Sequence, residues 1–418
     1  MTAPVIMVGF VPVALRSLAA FQPDGSVVVV EEPDVARKRD VASKVAAAPV
    51  ARELVEWEYQ LPGAADEFVN AHPGLRPAAV APLQEYATPF AARLAERYEL
   101  PGAGLGAAEL LRDKALLRRV TAAAGVLNPP SRQVTGPAQV RAFLAEQAGP
   151  IVLKPANRQA SVGVRIVHGA DEVDAAWADC LVQDEGAMVP DRPMPLRMLA
   201  ERYLRGHEYS VEMLFDRGRP VFANVTDKVL HPGPRPIELG HLVPADVPPA
   251  LEATLYAQTE RVLAAVGFGT GIVHCEWIVS GDGSIHLVEC AGRFAGDGII
   301  ELIERAYPVA LVQAFWTLLR GERLTRPLPR RAEQAAAVRF LDVEPGEVCS
   351  VDGLQQARAV PGVTSCDVTV KPGDTVRELR SSWDRVGSAI AVAPTAAEAM
   401  RRATRALGEI QLKVRSEG

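Results

Sequence analysis

The sequence lacks most of the signatures that would assign a chemistry at once. No G-x-x-x-x-G-K-[ST] run occurs, so a P-loop explains nothing here. The first apolar segment is followed by Gly9-Phe10-Val11 instead of G-x-G-x-x-G, and the dinucleotide fingerprint is therefore missing. Cys180, Cys275, Cys290, Cys349 and Cys366 form an odd, scattered set with no C-x-x-C pair, which signals neither a disulfide framework nor a zinc site and leaves inert thiols as the expectation. No stretch reaches the ~18 to 20 apolar residues of a membrane span. The start, MTAPVIMVGFVPVALRSLAAF, has no basic segment ahead of an uninterrupted apolar run, so a cytoplasmic protein is expected. Positive charge is not in excess: the formal net charge is -6, which argues against nucleic acid as a partner. Aromatic residues are only 6%, so burial must rest on Val, Leu, Ile and Ala. Asn224-Val225-Thr226 matches a glycosylation acceptor, but without a secretory signal it reads as a chance match in a strand.

What is present is enough chain, 418 residues, for two or three domains, because single cores usually stop growing near ~250 to 300 residues. The opening reads strand, helix, strand: apolar Val5 to Val8, helical spacing over Val13 to Phe21, and the β-branched run Ser26 to Val30. That is a βαβ beginning with a parallel sheet, a Rossmann-like half domain. Gly102, Gly104 and Gly106 have no strong strand before them and read as a loop into a helix rather than as a dinucleotide site. One helix is expected over Ala107 to Ala124, with Leu110, Leu111, Leu116 and Leu117 as its apolar stripe, ended by Gly125 and Pro129-Pro130. Further strands are expected at Pro150 to Leu153, Leu199 to Leu204 and Tyr209 to Phe215, then a proline-rich stretch at His231 to Pro236. A helix over Pro249 to Val266 leads to a hairpin of Gly271 to Val279 and Ser284 to Cys290 around Gly281-Asp282-Gly283. Arg323 to Arg331 suits a linker, and the last ninety or so residues read as a separate β-rich unit closed by a helix over Thr395 to Leu412.

Phosphate chemistry needs fixed positive charge, amides that can close over a nucleotide, and carboxylates to hold magnesium. Lys154 stands at the end of a strand and is followed by the loop Pro155 to Gly163, whose small residues offer N–H groups; Lys114 could add a second charge. Two solvated surface lysines are the plain alternative. Glu276 and Glu289 fall on adjacent hairpin strands, where like charges held close require a cation; magnesium is one solution, and pairing with Arg293 is the other.

Taken in order, Asp113-Lys114, Lys154-Pro155 with Ser161-x-Gly163-Val164, the run Glu201 to Glu212, Glu276 and Glu289-x-x-x-Arg293 resemble the ordered motifs of the ATP-grasp superfamily over roughly residues 1 to 320. Within it, the chain is most similar to the L-amino acid ligases that make dipeptides. That likeness rests on Thr226-Asp227-Lys228, Glu238-x-Gly240-His241-x-x-Pro244, Arg293-Phe294-x-Gly296-Asp297, Pro361-Gly362-Val363 and Ser381-Ser382-x-Asp384-Arg385-x-Gly387.

The resemblance implies an α/β (α+β) ATP-grasp architecture: a Rossmann-like pre-ATP-grasp domain over 1–107, an ATP-grasp domain over 108–322 with a mobile lid at about 128–203, and a β-rich domain over 330–418. It implies ATP with two Mg2+ ions, replaceable by Mn2+, small carboxylate and amine (amino acid) substrates, and a homodimer. Lys114, Lys154, Ser161 and Gly163 would meet the ATP phosphates, Glu201, Tyr203 and Leu204 the adenine, and Glu208 the ribose; Glu276 and Glu289 would bind metal. Arg293 would hold the transferred phosphate and the oxyanion. Glu238, Gly240, His241, Arg293 and Gly296 would form the substrate pocket. His241 there would orient or deprotonate the amine, or else serve only as a capping or core histidine. The implied activity is an ADP-forming carboxylate-amine ligation through an acyl phosphate. The alternatives are a biotin carboxylase-like or purine-biosynthesis enzyme of the same superfamily, a nucleotide-binding relative without catalysis, and, on the N-terminal βαβ unit alone, a dinucleotide-dependent oxidoreductase. One departure stands out: the family's Asn two residues after the second glutamate is Ala291 here, with Asp297 as a candidate replacement.

Overall fold

The computed structural model describes residues 3–415 apart from 183–184 and 234, so Pro234 of the proline-rich stretch and the outermost ends of the chain lie outside the described residues. Strands β1 (Val5–Val8), β2 (Val27–Glu31), β3 (Ala51–Glu56) and β4 (Ala79–Pro82) form the first sheet, in the order β3-β2-β1-β4 and parallel throughout. Its two central strands are buried along their whole length, as a sheet covered on both faces by helices requires of valine-rich runs. The Rossmann-like beginning is therefore as expected.

The second sheet is antiparallel: β5 (Ser131–Val134), β6 (Ile151–Pro155), β7 (Arg165–Val167) and β8 (Met198–Arg202), ordered β5-β8-β6-β7. With the helices Pro137–Glu146 and Val173–Leu181 it encloses its own small core around Val140, Phe143, Ile151 and Leu153.

The largest sheet has eight strands and carries the site. It uses β9 (Gly206–Asp216), β10 (Arg219–Leu230), β11 (Glu238–Val243), β12 (Gly271–Ser280) and β13 (Ile285–Ala291), and then β14 (Ala335–Phe340), β16 (Val363–Val368) and β18 (Gly387–Ala393). Between the last three in chain order stand β15 (Gly346–Asp352) and β17 (Thr375–Val376), which join β19 (Gln411–Arg415) in a three-stranded sheet.

Two expectations are corrected. The C-terminal unit is β-rich but not separate, because β14 pairs with β11, His241 opposite Val338, and continues the central sheet. The helix expected over Ala107 to Ala124 is two, Leu105–Arg112 and Lys114–Ala123. Asp113 between them is extended, and its carboxylate accepts from the N–H groups of Ala115 and Leu116, starting a new helix with Lys114 in its first position. The helix Pro249–Val266 has the expected ends: proline at its first position and Gly267 in the left-handed conformation after its last.

Candidate active site

Strand alternation puts every second residue on one face, and the central sheet uses this to line up polar side chains across four strands. Glu276 on β12 stands opposite Glu289 on β13 and Ser210 on β9; His274 stands opposite Glu212; Thr226 and Asn224 of β10 oppose Ser210 and Glu212. Glu212 is wholly buried and accepts from Ser210, Asn224, Thr226 and His274 Nδ1 (2.8 Å). Asn224 is thus an inward-facing network residue of a strand, as its sequence context suggested.

The cation at the centre is Lys228, from β10. Its Nζ lies 2.6 Å from Glu276, 3.2 Å from Glu238 and 3.7 Å from Glu208, and its side chain is 1% exposed. Burial disfavours the ammonium, but the three carboxylates outweigh it and raise the lysine well above its usual range. Burial equally opposes charge on Glu276, yet Lys228 and His274 hold it well below the carboxylate range. His274 Nε2 lies 3.1 Å from Glu276; against burial, the hydrogen bonds to Glu212 and Glu276 raise the imidazole to about 10, so it is a cation at neutral pH. Glu208 is pushed the other way: burial, with Glu276 and Glu238 nearby, lifts it to about 7 despite Lys228.

A second group of charges faces this one. Lys154, at the end of β6, lies 2.6 Å from Glu201 on β8, and Arg118 holds the other oxygen of Glu201 at 2.7 Å. Burial opposes the Glu201 charge, but these two cations hold it at about 2. The Glu201 carboxylate thus positions Lys154 and Arg118 at the cavity wall. Lys114 reaches Glu289 at 2.7 Å and donates to the carbonyl of Arg158. The plain alternative, two solvated lysines, does not hold. The loop after Lys154 bends through positive φ at Ala160, Ser161 and Gly163; Ser161 Oγ donates to the carbonyl of Pro236, and the N–H of Ser382 donates to the carbonyl of Ala160.

Arg293 pairs with neither strand glutamate. Its Nε donates to Glu85 at 2.7 Å, Arg112 takes the other oxygen at 3.1 Å, and these cations hold Glu85 at about 2 against burial. His241 Nε2 meets Asp297 Oδ2 at 2.9 Å. Arg385, from the C-terminal unit, grips both oxygens of Asp297 and stacks 3.8 Å above Phe340. Against burial, His241 and Arg385 hold Asp297 ionised, so it accepts from His241 Nε2–H, while His241 Nδ1 is buried without a partner. Both oxygens of Asp297 are thus engaged by His241 and Arg385.

One cavity of ≈ 1230 Å³ joins these groups. Lys114, Lys154, Ser161, Glu201, Tyr203, Leu204, Glu208, Glu238, His241, Glu276, Glu289, Arg293 and Gly296 all line it. Gly163 and Gly240 do not. A Cβ on Gly163 would lie 2.9 Å from the carbonyl oxygen of Cys180, and one on Gly240 would lie 2.7 Å from that of Val338, so both glycines serve close backbone approach. Among the described residues no group of three or more His, Cys, Asp or Glu is gathered to hold a metal. The donor set at Glu276 and Glu289 still fits magnesium, which takes one or two carboxylates and completes its shell with phosphate oxygens and water. Sequence reasoning gave no role to Lys228, Glu212, Glu85, Arg118 or Arg385. The motifs Glu201 to Glu212, Thr226-Asp227-Lys228 and Ser381 to Gly387 contained Glu212, Lys228 and Arg385; Glu85 had no local signal.

A family model described as "ATP-grasp domain" matches residues 147–301, and one described as "L-amino acid ligase C-terminal domain 2" matches 339–415. The uncharacterized protein y4rH of Sinorhizobium fredii is 30% identical over 323 residues, 77% of this chain and 65% of that one. The alanine–anticapsin ligase of Bacillus subtilis is 26% identical over 242 residues, 54% of this chain and 51% of that one. The chain thus spans between half and two thirds of the length of these relatives. In fold it is similar to the L-amino acid ligase from Bacillus licheniformis, with a TM-score of 0.78, 17% identity, and 99% of each chain covered.

Proposed function

Since the chain belongs to the ATP-grasp superfamily, we propose that it is an ATP- and magnesium-dependent carboxylate-amine ligase that joins an amino acid to another amino acid or small acid. The observation that carries the reading is the single cavity whose wall brings together Lys114, Lys154, Glu276, Glu289 and Arg293. The matched L-amino acid ligase domain favours this over a carboxylase or a purine-pathway ligase of the same fold.

The first step is attack of a carboxylate oxygen on the γ-phosphorus of ATP, breaking the bond to the β-phosphate and releasing ADP. Lys154, held by Glu201, and Lys114 supply fixed positive charge for the phosphates; Tyr203 and Leu204 border the base, and Glu208 the sugar. Glu276 and Glu289 would hold magnesium, which neutralises phosphate charge. Lys228, His274 and Lys114 already pair with these carboxylates, and so hold the two side chains aligned before nucleotide arrives. Arg293, oriented by Glu85, is suited to the transferred phosphate and to the oxyanion of the second step. In that step the amine nitrogen forms a bond to the acyl carbon and phosphate leaves. The amine must lose a proton, and His241, held by Asp297 on the cavity wall, is the residue placed to orient or deprotonate it. The loop Ala156 to Gly163 would exclude water that hydrolyses the acyl phosphate.

The test is release of ADP and phosphate, with product mass, across acids paired with amines. Lys154→Ala and Glu289→Ala are expected to abolish turnover with the fold intact; unchanged activity in either contradicts the roles given. A second reading, a nucleotide-binding relative that does not turn over, is favoured by Ala291 alone. ATP binding without ADP formation over a broad substrate pool would support it.

A further inference from the structure

The cavity extends beyond the charged groups into a lobe that the roles above leave unused. Its walls include Val11, Ala14, Leu83, Phe294, Ile300 and Trp316, all part of one apolar cluster between the N-terminal sheet and the helix Leu311–Leu319. The lobe adjoins Arg293 from both sides. Phe294 follows Arg293 directly, and Leu83 and Gln84 immediately precede Glu85, which Arg293 grips.

One polar group interrupts this apolar wall. Gln84 is 5% exposed and lines the cavity; its Nε2 donates to the carbonyl of Phe10 at 3.1 Å, while its Oε1 is buried without a partner. The amide orientation follows from chemistry, because a carbonyl accepts and the NH2 must face it. Gly9, at φ 81, lets the side chain lie there: a Cβ on Gly9 would sit 2.9 Å from Gln84 Cγ. A buried acceptor left without a donor is costly, so a ligand N–H is the natural partner. Three of the charged side chains on this part of the cavity are engaged: Arg39 donates to the carbonyl of Phe10, Glu301 pairs with Arg305, and Glu304 accepts from the N–H of Val312; Arg16, exposed on the N-terminal helix, also lines the cavity.

We propose that this lobe is the side-chain pocket for one of the two substrates, an α-amino acid with a large aliphatic or aromatic side chain. Its carboxylate faces Arg293, and its amino group donates to Gln84 Oε1. The proposal rests on the ligase reading for its place in a reaction, but not for binding. A pocket of this kind discriminates size by apolar contact, roughly 10- to 200-fold per methylene-sized change at most, and the amine by a single hydrogen bond.

The experiment is saturation-transfer NMR and calorimetry on the full chain with L-phenylalanine, L-leucine, L-alanine, L-glutamate and 3-phenylpropanoate, which lacks the amine. Thermal melts check that each variant folds. Phenylalanine and leucine are expected to bind about tenfold or more tighter than alanine or glutamate. Ala14→Trp, which fills the lobe, is expected to remove that preference. Gln84→Met is expected to weaken phenylalanine about tenfold while leaving 3-phenylpropanoate unchanged. Phenylalanine binding no tighter than alanine, or binding unaffected in both variants, overturns the proposal. Preserved binding with no ADP formed from any pair would instead reject the ligase reading and leave the pocket standing.

Discussion

Lys228 shows how much can depend on one side chain. Its ammonium serves three carboxylates in a nearly closed space, and removing it strands them. Breaking a buried ion pair from one side typically costs ~3–5 kcal/mol, so Lys228→Met is expected to lower the denaturation midpoint steeply; a shift smaller than that of ordinary surface variants would mean the carboxylates find another cation. The same group sets a pH response. His274 has its folded value raised from 6.5 to about 10, so the stability it brings is fully present below 6.5 and is lost as pH rises through about 10. Glu208 is raised from 4.5 to about 7, so the folded state binds the extra proton, and stability falls as pH rises from 4.5 toward 7. Glu208→Gln should flatten that fall in chemical denaturation measured across the window while leaving the alkaline loss due to His274. A strand end and an expected hairpin made Lys154, Glu276 and Glu289 legible in the sequence. The partners of Lys228 and Glu212 were not, because they depend on how β9, β10 and β12 are registered against one another. Arg293 and Glu85 lie 208 residues apart, a pairing that only the docking of the N-terminal sheet determines.

At the scale of elements, the break at Asp113 matters most. The apolar stripe runs on from one helix into the next, so periodicity alone reads a single helix, whereas the capping carboxylate divides it and fixes where Lys114 points. Asp113→Ala should cost ~1 kcal/mol in stability and, by loosening the first turn, should raise the KM for ATP more than it lowers kcat; an unchanged KM would remove the cap from the account of Lys114. Glycines at close approaches were misread for a related reason. Gly240 sits in a motif that names a substrate pocket, but its hydrogen atom is needed where β14 crosses, so Gly240→Ala is expected to act on thermal stability before it acts on substrate affinity. The elements ending in proline or glycine, such as Pro249–Val266, were legible because both signals are local in sequence.

The whole molecule is held by charge pairs that cross between its parts. Glu85 and Glu201 both have folded values near 2 against 4.5, so the stability they contribute is present above 4.5 and is lost as pH falls through about 2. Acid unfolding followed by circular dichroism should therefore be displaced upward in pH in Arg118→Met, which takes one cation from Glu201. An unshifted acid limb would show that Lys154 suffices. The division into domains was only partly legible, since a chain can carry a linker-like stretch and still return to pair with an earlier strand.

That return, β14 alongside β11, has a consequence for anyone hoping to transplant parts of this protein. The C-terminal ninety residues are not a removable cap but supply three of the eight strands of the central sheet, and they also lend Arg385 to the pocket. A shortened chain would present a bare strand edge to its neighbours in solution, an invitation to aggregate. Exchange of specificity between relatives is then better attempted by altering pocket walls in place than by swapping their tails.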